Sequence, residues 1–273
     1  MTLNDLRFIF NRAFFLTFGK KKLLTTFTVL ALCGVLVVFF RGLSVHAGQW
    51  ILMSLSFLPI FICAGVLLSL GIFLIRIYHD EVKNKPVIYK HIFVKSWEVI
   101  IGASYFSIPL ILCYLLLWMV LGIFVLLQEI PGIGDFLGVI LAFGPFLLNL
   151  GSMVLCLLNI AMLFVLTPIV ALKGLNRTQV SQILAHRLKG DVFSNLLLAI
   201  LAVLPLLFCL GMLTLAAFLT GSLCYVCEKP LNNVLQWFVI MIPFTAFLSP
   251  AVIFFFNIAA EAHVILQKQF QST

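Results

Sequence analysis

Cys224 and Cys227, in the stretch GSLCYVCEKP, are the residues of this chain whose type and spacing best suit chemistry. Neighbouring thiols at this separation can close a disulfide or pass electrons to an acceptor, with the thiolate as the reacting form. A membrane relay of that kind normally draws on a second thiol pair on the same side. The other cysteines, Cys33, Cys63, Cys113, Cys156 and Cys209, all fall in long apolar runs, where a thiol behaves as a small apolar side chain. The pair therefore reads first as a local disulfide or as plain thiols at a helix end, and a thiol redox protein ranks third among the functional readings.

A second set is Asn149, Ser152, Cys156 and Asn159, whose helical spacing puts all four on one seam. An amide facing hydrocarbon goes without partners, so the seam is expected to face other helices, either as interhelical glue or as a polar path for a substrate. The third is Arg187, set within the apolar stripe of Val180, Ile183, Leu184 and Leu188. A cation there must snorkel to phosphate or find a partner, so Arg187, with Lys189 and Lys173 close in sequence, is expected to contact lipid phosphate; a solvated or protein-paired arginine is the alternative. His46, His79, His91, His186 and His263 show no metal-ligand spacing and are placed on both sides of the membrane. There is no Gly-rich phosphate loop and no plausible Ser, His and Asp set, so no catalytic residue, metal or cofactor is expected.

The elements that must position these residues follow from composition. Hydrophobic residues make up 63% of the chain and charged residues 10%, which leaves too little polar surface for a water-soluble protein. Crossing the hydrocarbon takes about 20 apolar residues. Six stretches meet or approach that: 23–40, 51–75, 99–127, 136–172, 196–220 and 234–258. The fourth is long enough for two short helices. Splitting it would export a loop with at least four basic residues, so one span is expected, with 136–143 as a lead-in broken at Gly144-Pro145.

With six spans, Arg41 and Lys229 alone of the 17 Lys and Arg residues face outwards, and both termini lie in the cytoplasm. The net charge of +8 then meets anionic head groups on the inner face rather than nucleic acid. Each outward hairpin is preceded by a segment expected to lie as a cytoplasmic interfacial helix. In the first, Leu3, Leu6, Ile9, Phe10, Ala13, Phe14 and Leu16 share an arc. In the second, Tyr89, Phe93 and Trp97 stack, and in the third the stripe around Leu184 ends at Gly190. Solvated linkers are the plainer alternative. A signal peptide cut after Ala47 is a further one, disfavoured by the 22 residues before the first apolar run. The expected fold is all-α, one integral membrane domain over 1–273. Pro59, Pro109, Pro145, Pro168, Pro205, Pro243 and Pro250 fall within its spans.

The stretch TPIVALKGLNRTQVSQILAHRLKGDVFSNLLLAILAVLPL, through Pro168, Gly174, Leu184, Lys189 and Gly190, resembles the junction between the fourth and fifth helices of a bacterial six-helix membrane-domain superfamily. That group includes the membrane domain of some glycerophosphodiester phosphodiesterases and stand-alone relatives. The resemblance implies architecture and a bacterial cytoplasmic membrane; no agreed chemistry attaches to the stand-alone members. Taken together, the sequence points to a non-enzymatic, lipid-associated or envelope-maintenance protein. Its expected partners are membrane lipids, with a second copy or other membrane proteins as further candidates. A small permease or flippase-like transporter of neutral or amphipathic molecules is the alternative.

Overall fold

The apolar runs fold into helices, several of which outlast their hydrophobic stretches. The computed structural model describes residues 3–44, 49–128, 143–174, 192–220 and 230–271. Among these the protein is all α: α1 Leu3–Phe15, α2 Lys20–Ser44, α3 Gln49–Val82, α4 Tyr89–Ser104, α5 Ile108–Gln128, α6 Gly144–Lys173, α7 Val192–Leu219 and α8 Pro230–Gln271. Six helical stretches are long and apolar enough to cross a membrane. Consecutive long helices pack in pairs, α2 on α3, α5 on α6 and α7 on α8.

Two boundaries differ from the sequence reading, each for a local reason, and a third falls where it was expected. The sixth span, expected to close at Ile258, continues as helix to Gln271, because the small residues Ala259, Ala260 and Ala262 stay buried against neighbours. The third span does not begin afresh at Val99. Its helix starts at Tyr89 and is interrupted by the 3-10 turn Tyr105–Ser107 ahead of Pro109, whose missing N–H is harmless at a helix start. The fourth helix begins at the Gly144-Pro145 break, with proline in its first turn; the lead-in before Phe143 lies outside the described residues.

The core gathers around α3. Leu68, Ile72, Leu74, Ile75 and Tyr78 pack with Phe164, Leu166 and Ile169 of α6 and with Ile253, Phe256 and Ile258 of α8. Gly71 permits this close approach, since a Cβ there would run into the Phe256 ring and sit 2.7 Å from Thr167 Cγ2. Burial thins out along the same helices. Met153, Val154 and Leu157 on α6 and Leu235, Val239 and Ile242 on α8 are exposed, as is most of α7, which packs on α8 through Leu198 and Ala202. The bundle is thus tight at one end and apolar-surfaced elsewhere, as suits a hydrocarbon solvent.

Candidate functional site

The tight end is the end where charge collects, and the last two turns of α3 organise it. Successive residues on a helix point about 100° apart. Arg76, Tyr78, His79, Asp80 and Glu81 therefore fan out around α3, and each must be met by a different neighbour.

Tyr78 donates to Glu261 Oε1 of α8 at 2.5 Å, and Arg12 of α1 pairs with Glu261 Oε2. The Glu261 side chain is 4% exposed and that of Arg12 33%. Burial acts to lower the Arg12 pKa, but the hydrogen bond and charge of Glu261 outweigh it and hold the guanidinium above its ordinary value. One turn before Glu261, the wholly buried Asn257 donates from Nδ2 to Ala13 O at 3.1 Å and to Thr17 Oγ1 at 3.3 Å. These bonds fasten α1 to α8. Ile9 and Ala13 are buried there, while Phe8, Phe14, Phe15 and Phe18 remain exposed and Arg12 lies over the Phe8 ring at 5.0 Å.

Glu81 pairs with Lys22 of α2 at 2.5 Å, and Lys22 Nζ also donates to Leu16 O at 2.6 Å. The Lys22 side chain is 1% exposed, so this ammonium depends on those partners. Beyond Glu81 the helix closes in a Schellman arrangement: Asn84 N donates to Glu81 O, Lys85 N donates to Asp80 O at 2.9 Å, and Asn84 takes a φ of 54°.

Arg76 is held differently. Its Nε donates to Ala171 O at 2.9 Å and its Nη1 to Ser96 Oγ at 2.6 Å, so α6 and α4 are both tied to α3 through neutral acceptors. A pocket of about 460 Å³ opens beside it, lined also by His79, Lys85, His91 and Lys95. The two histidines share one site despite their unpromising spacing. Among the described residues no group of three or more His, Cys, Asp or Glu could hold a metal ion.

The polar seam lies in the opposite half of the bundle. Ser152 and Asn159 are buried, and Asn149 and Cys156 half-buried. Ser152 donates to Leu148 O within its own helix, and Asn149 and Ser152 line a cavity of about 20 Å³ with Ser54, Tyr114 and Trp118. That volume is about right for a single water. Tyr114 donates to Ser54 O at 2.5 Å and stacks on Phe61, joining α5 to α3. Cys33 and Cys63 are buried, with the Cys63 thiol 3.7 Å from Cys33 O. Arg187, Lys189, Cys224 and Cys227 lie outside the described residues; Lys173 ends α6, and its side chain is likewise outside them.

Sequence reasoning missed the partnerships of Lys22, Glu81 and Glu261 because it stopped the spans where hydropathy fell. One signal was present: Asn257 and Glu261 stand at i and i+4, so a polar face continues past the apolar run. No protein-family model, curated protein or solved structure matches this chain.

Proposed function

We propose that the protein is a non-enzymatic, lipid-associated component of a bacterial cytoplasmic membrane, concerned with organising or maintaining that membrane. Both termini face the cytoplasm in this reading, and the three hairpins each follow an interfacial segment, as in the six-helix superfamily that the 167–206 stretch resembles. The observation that carries it is the state of α1. This helix is clamped to the bundle by Arg12 and Ala13, yet it and the 3-10 turn Leu16–Phe18 after it turn Phe8, Phe14, Phe15 and Phe18 outwards beside the exposed Arg7, Lys20 and Lys21. Exposed rings among cations suit the head-group layer, where apolar faces bury into the acyl boundary and cations meet phosphate.

A photo-crosslinking amino acid at Phe15, in the full-length protein reconstituted in phospholipid, should capture lipid. Capture of water alone would overturn the reading. Transport receives less support: the polar seam borders room for about one water molecule rather than a solute path.

A further inference from the structure

We infer that the pocket between the ends of α3, α4 and α6 binds the phosphate of an anionic lipid, a site that rests on the lipid-associated reading above. Arg76 is its anchor. Neutral acceptors hold one edge of its guanidinium, no carboxylate among the described residues pairs with it, and Nη2 donates to none of them. An arginine fixed this way keeps its charge and part of its donor fork for a ligand.

The surroundings select an anion. Lys85 and Lys95 are exposed at the pocket with His91, and His79 stands half-buried beside them. Asp80 is the carboxylate in the lining, so three fixed cations oppose one anion and the site stays positive with both histidines neutral. Ser96 offers a hydroxyl already oriented by Arg76. The volume of about 460 Å³ is within the ~300–1,000 Å³ of small-ligand sites.

Depth selects a lipid over a free ion. Arg76 bonds the residue just before Trp97, which is exposed and packs on Phe93 with ring centroids 5.2 Å apart; Phe93 in turn meets Phe73 of α3. Exposed tryptophan marks the boundary between head groups and acyl chains. A pocket at that level, with Ile92 and Leu172 in its wall, can receive a phosphate while the attached chains stay in the hydrocarbon.

The test uses full-length protein in nanodiscs of equal phosphatidylglycerol and phosphatidylcholine, with retained lipid counted by native mass spectrometry. The parent should retain phosphatidylglycerol preferentially. Lys85→Gln with Lys95→Gln should cut that preference at least about fivefold. Both side chains are exposed, so the thermal midpoint should stay unchanged. Arg76→Lys, which keeps charge but loses the fork, should also weaken retention. The control pair Arg7→Gln with Lys20→Gln removes the same charge elsewhere at this end and should leave the preference intact.

Equal losses in the two double variants would overturn the pocket while leaving the lipid-associated reading standing, provided Phe15 still captures lipid. A parent without preference for phosphatidylglycerol overturns the pocket as well. Inorganic phosphate should fail to displace the lipid at matched concentration; displacement would assign the site to free phosphate and overturn the lipid.

Discussion

The two ion pairs at the charged end share a chemistry but differ in which partner is hidden, and that difference predicts opposite mutational orders. At Arg12 and Glu261 the carboxylate is the buried member. Arg12→Met strands a buried anion, with Tyr78 as its remaining donor, and should cost about 2–4 kcal/mol; Glu261→Met leaves Arg12 a route to water and should cost less, about 1–2 kcal/mol. At Lys22 and Glu81 the ammonium is buried, so Glu81→Met should be the more damaging change, again by about 2–4 kcal/mol against about 1–2 for Lys22→Met. Unfolding in mild detergent, monitored by circular dichroism, checks both orders. Equal effects within a pair would mean that burial does not set the cost. The raised Arg12 pKa keeps this guanidinium charged throughout any accessible pH range, so its side of the pair contributes no loss of stability on the alkaline side short of that pKa.

Helices meet here through small residues as much as through charge. Gly71 is the point where α3, α6 and α8 come together, and the Phe256 ring has no free end to swing aside. Gly71→Ala should cost about 1–3 kcal/mol through overpacking. Gly211→Ala on α7 meets nothing within 4 Å and should leave the thermal midpoint in place. Near-equal midpoints for the two variants would show that the three-helix contact is loose. Gly174 has a different use. Its φ of 86° closes α6, returning its N–H to Val170 O at 3.0 Å, and directly precedes the segment that bears Arg187.

For the whole molecule the governing fact is polarity between ends. Ion pairs and side-chain hydrogen bonds join α1, α2, α3, α4, α6 and α8 at one end, whereas Arg41 stands apart from them over Trp237 at 5.1 Å, beside an apolar groove of about 190 Å³. Positive loops resist export, so a reporter in the segment Lys83 to Lys95 should read as cytoplasmic and one near Gly132 as external. Alkaline phosphatase and green fluorescent protein fusions at both places check this. An external signal from the first would break the six-span topology.

Some of this was legible from residue types alone. Length and hydropathy determine six membrane-sized helices, because covering hydrocarbon requires apolar runs of a set length wherever the helices later pack. Helical period also set Phe93 beside Trp97 and Ile9 on one face with Ala13, whereas Tyr89 of the expected stack packs on Phe73 and Phe14 of the expected arc is exposed. Tertiary structure alone decided where the spans' polar ends go. Hydropathy treats Lys22, Glu81 and Glu261 as boundary residues. Only the convergence of α1, α2, α3 and α8 makes them ion-pair partners, since the cost of burying Lys22 and Glu261 is met by a residue 59 or more positions away. The pocket at Arg76 arises in the same way. His79 and His91, placed on no common motif by sequence, face one space because α4 folds back along α3 after the Asn84 turn. Periodicity acts within a helix, whereas the choice of neighbour depends on how whole surfaces fit.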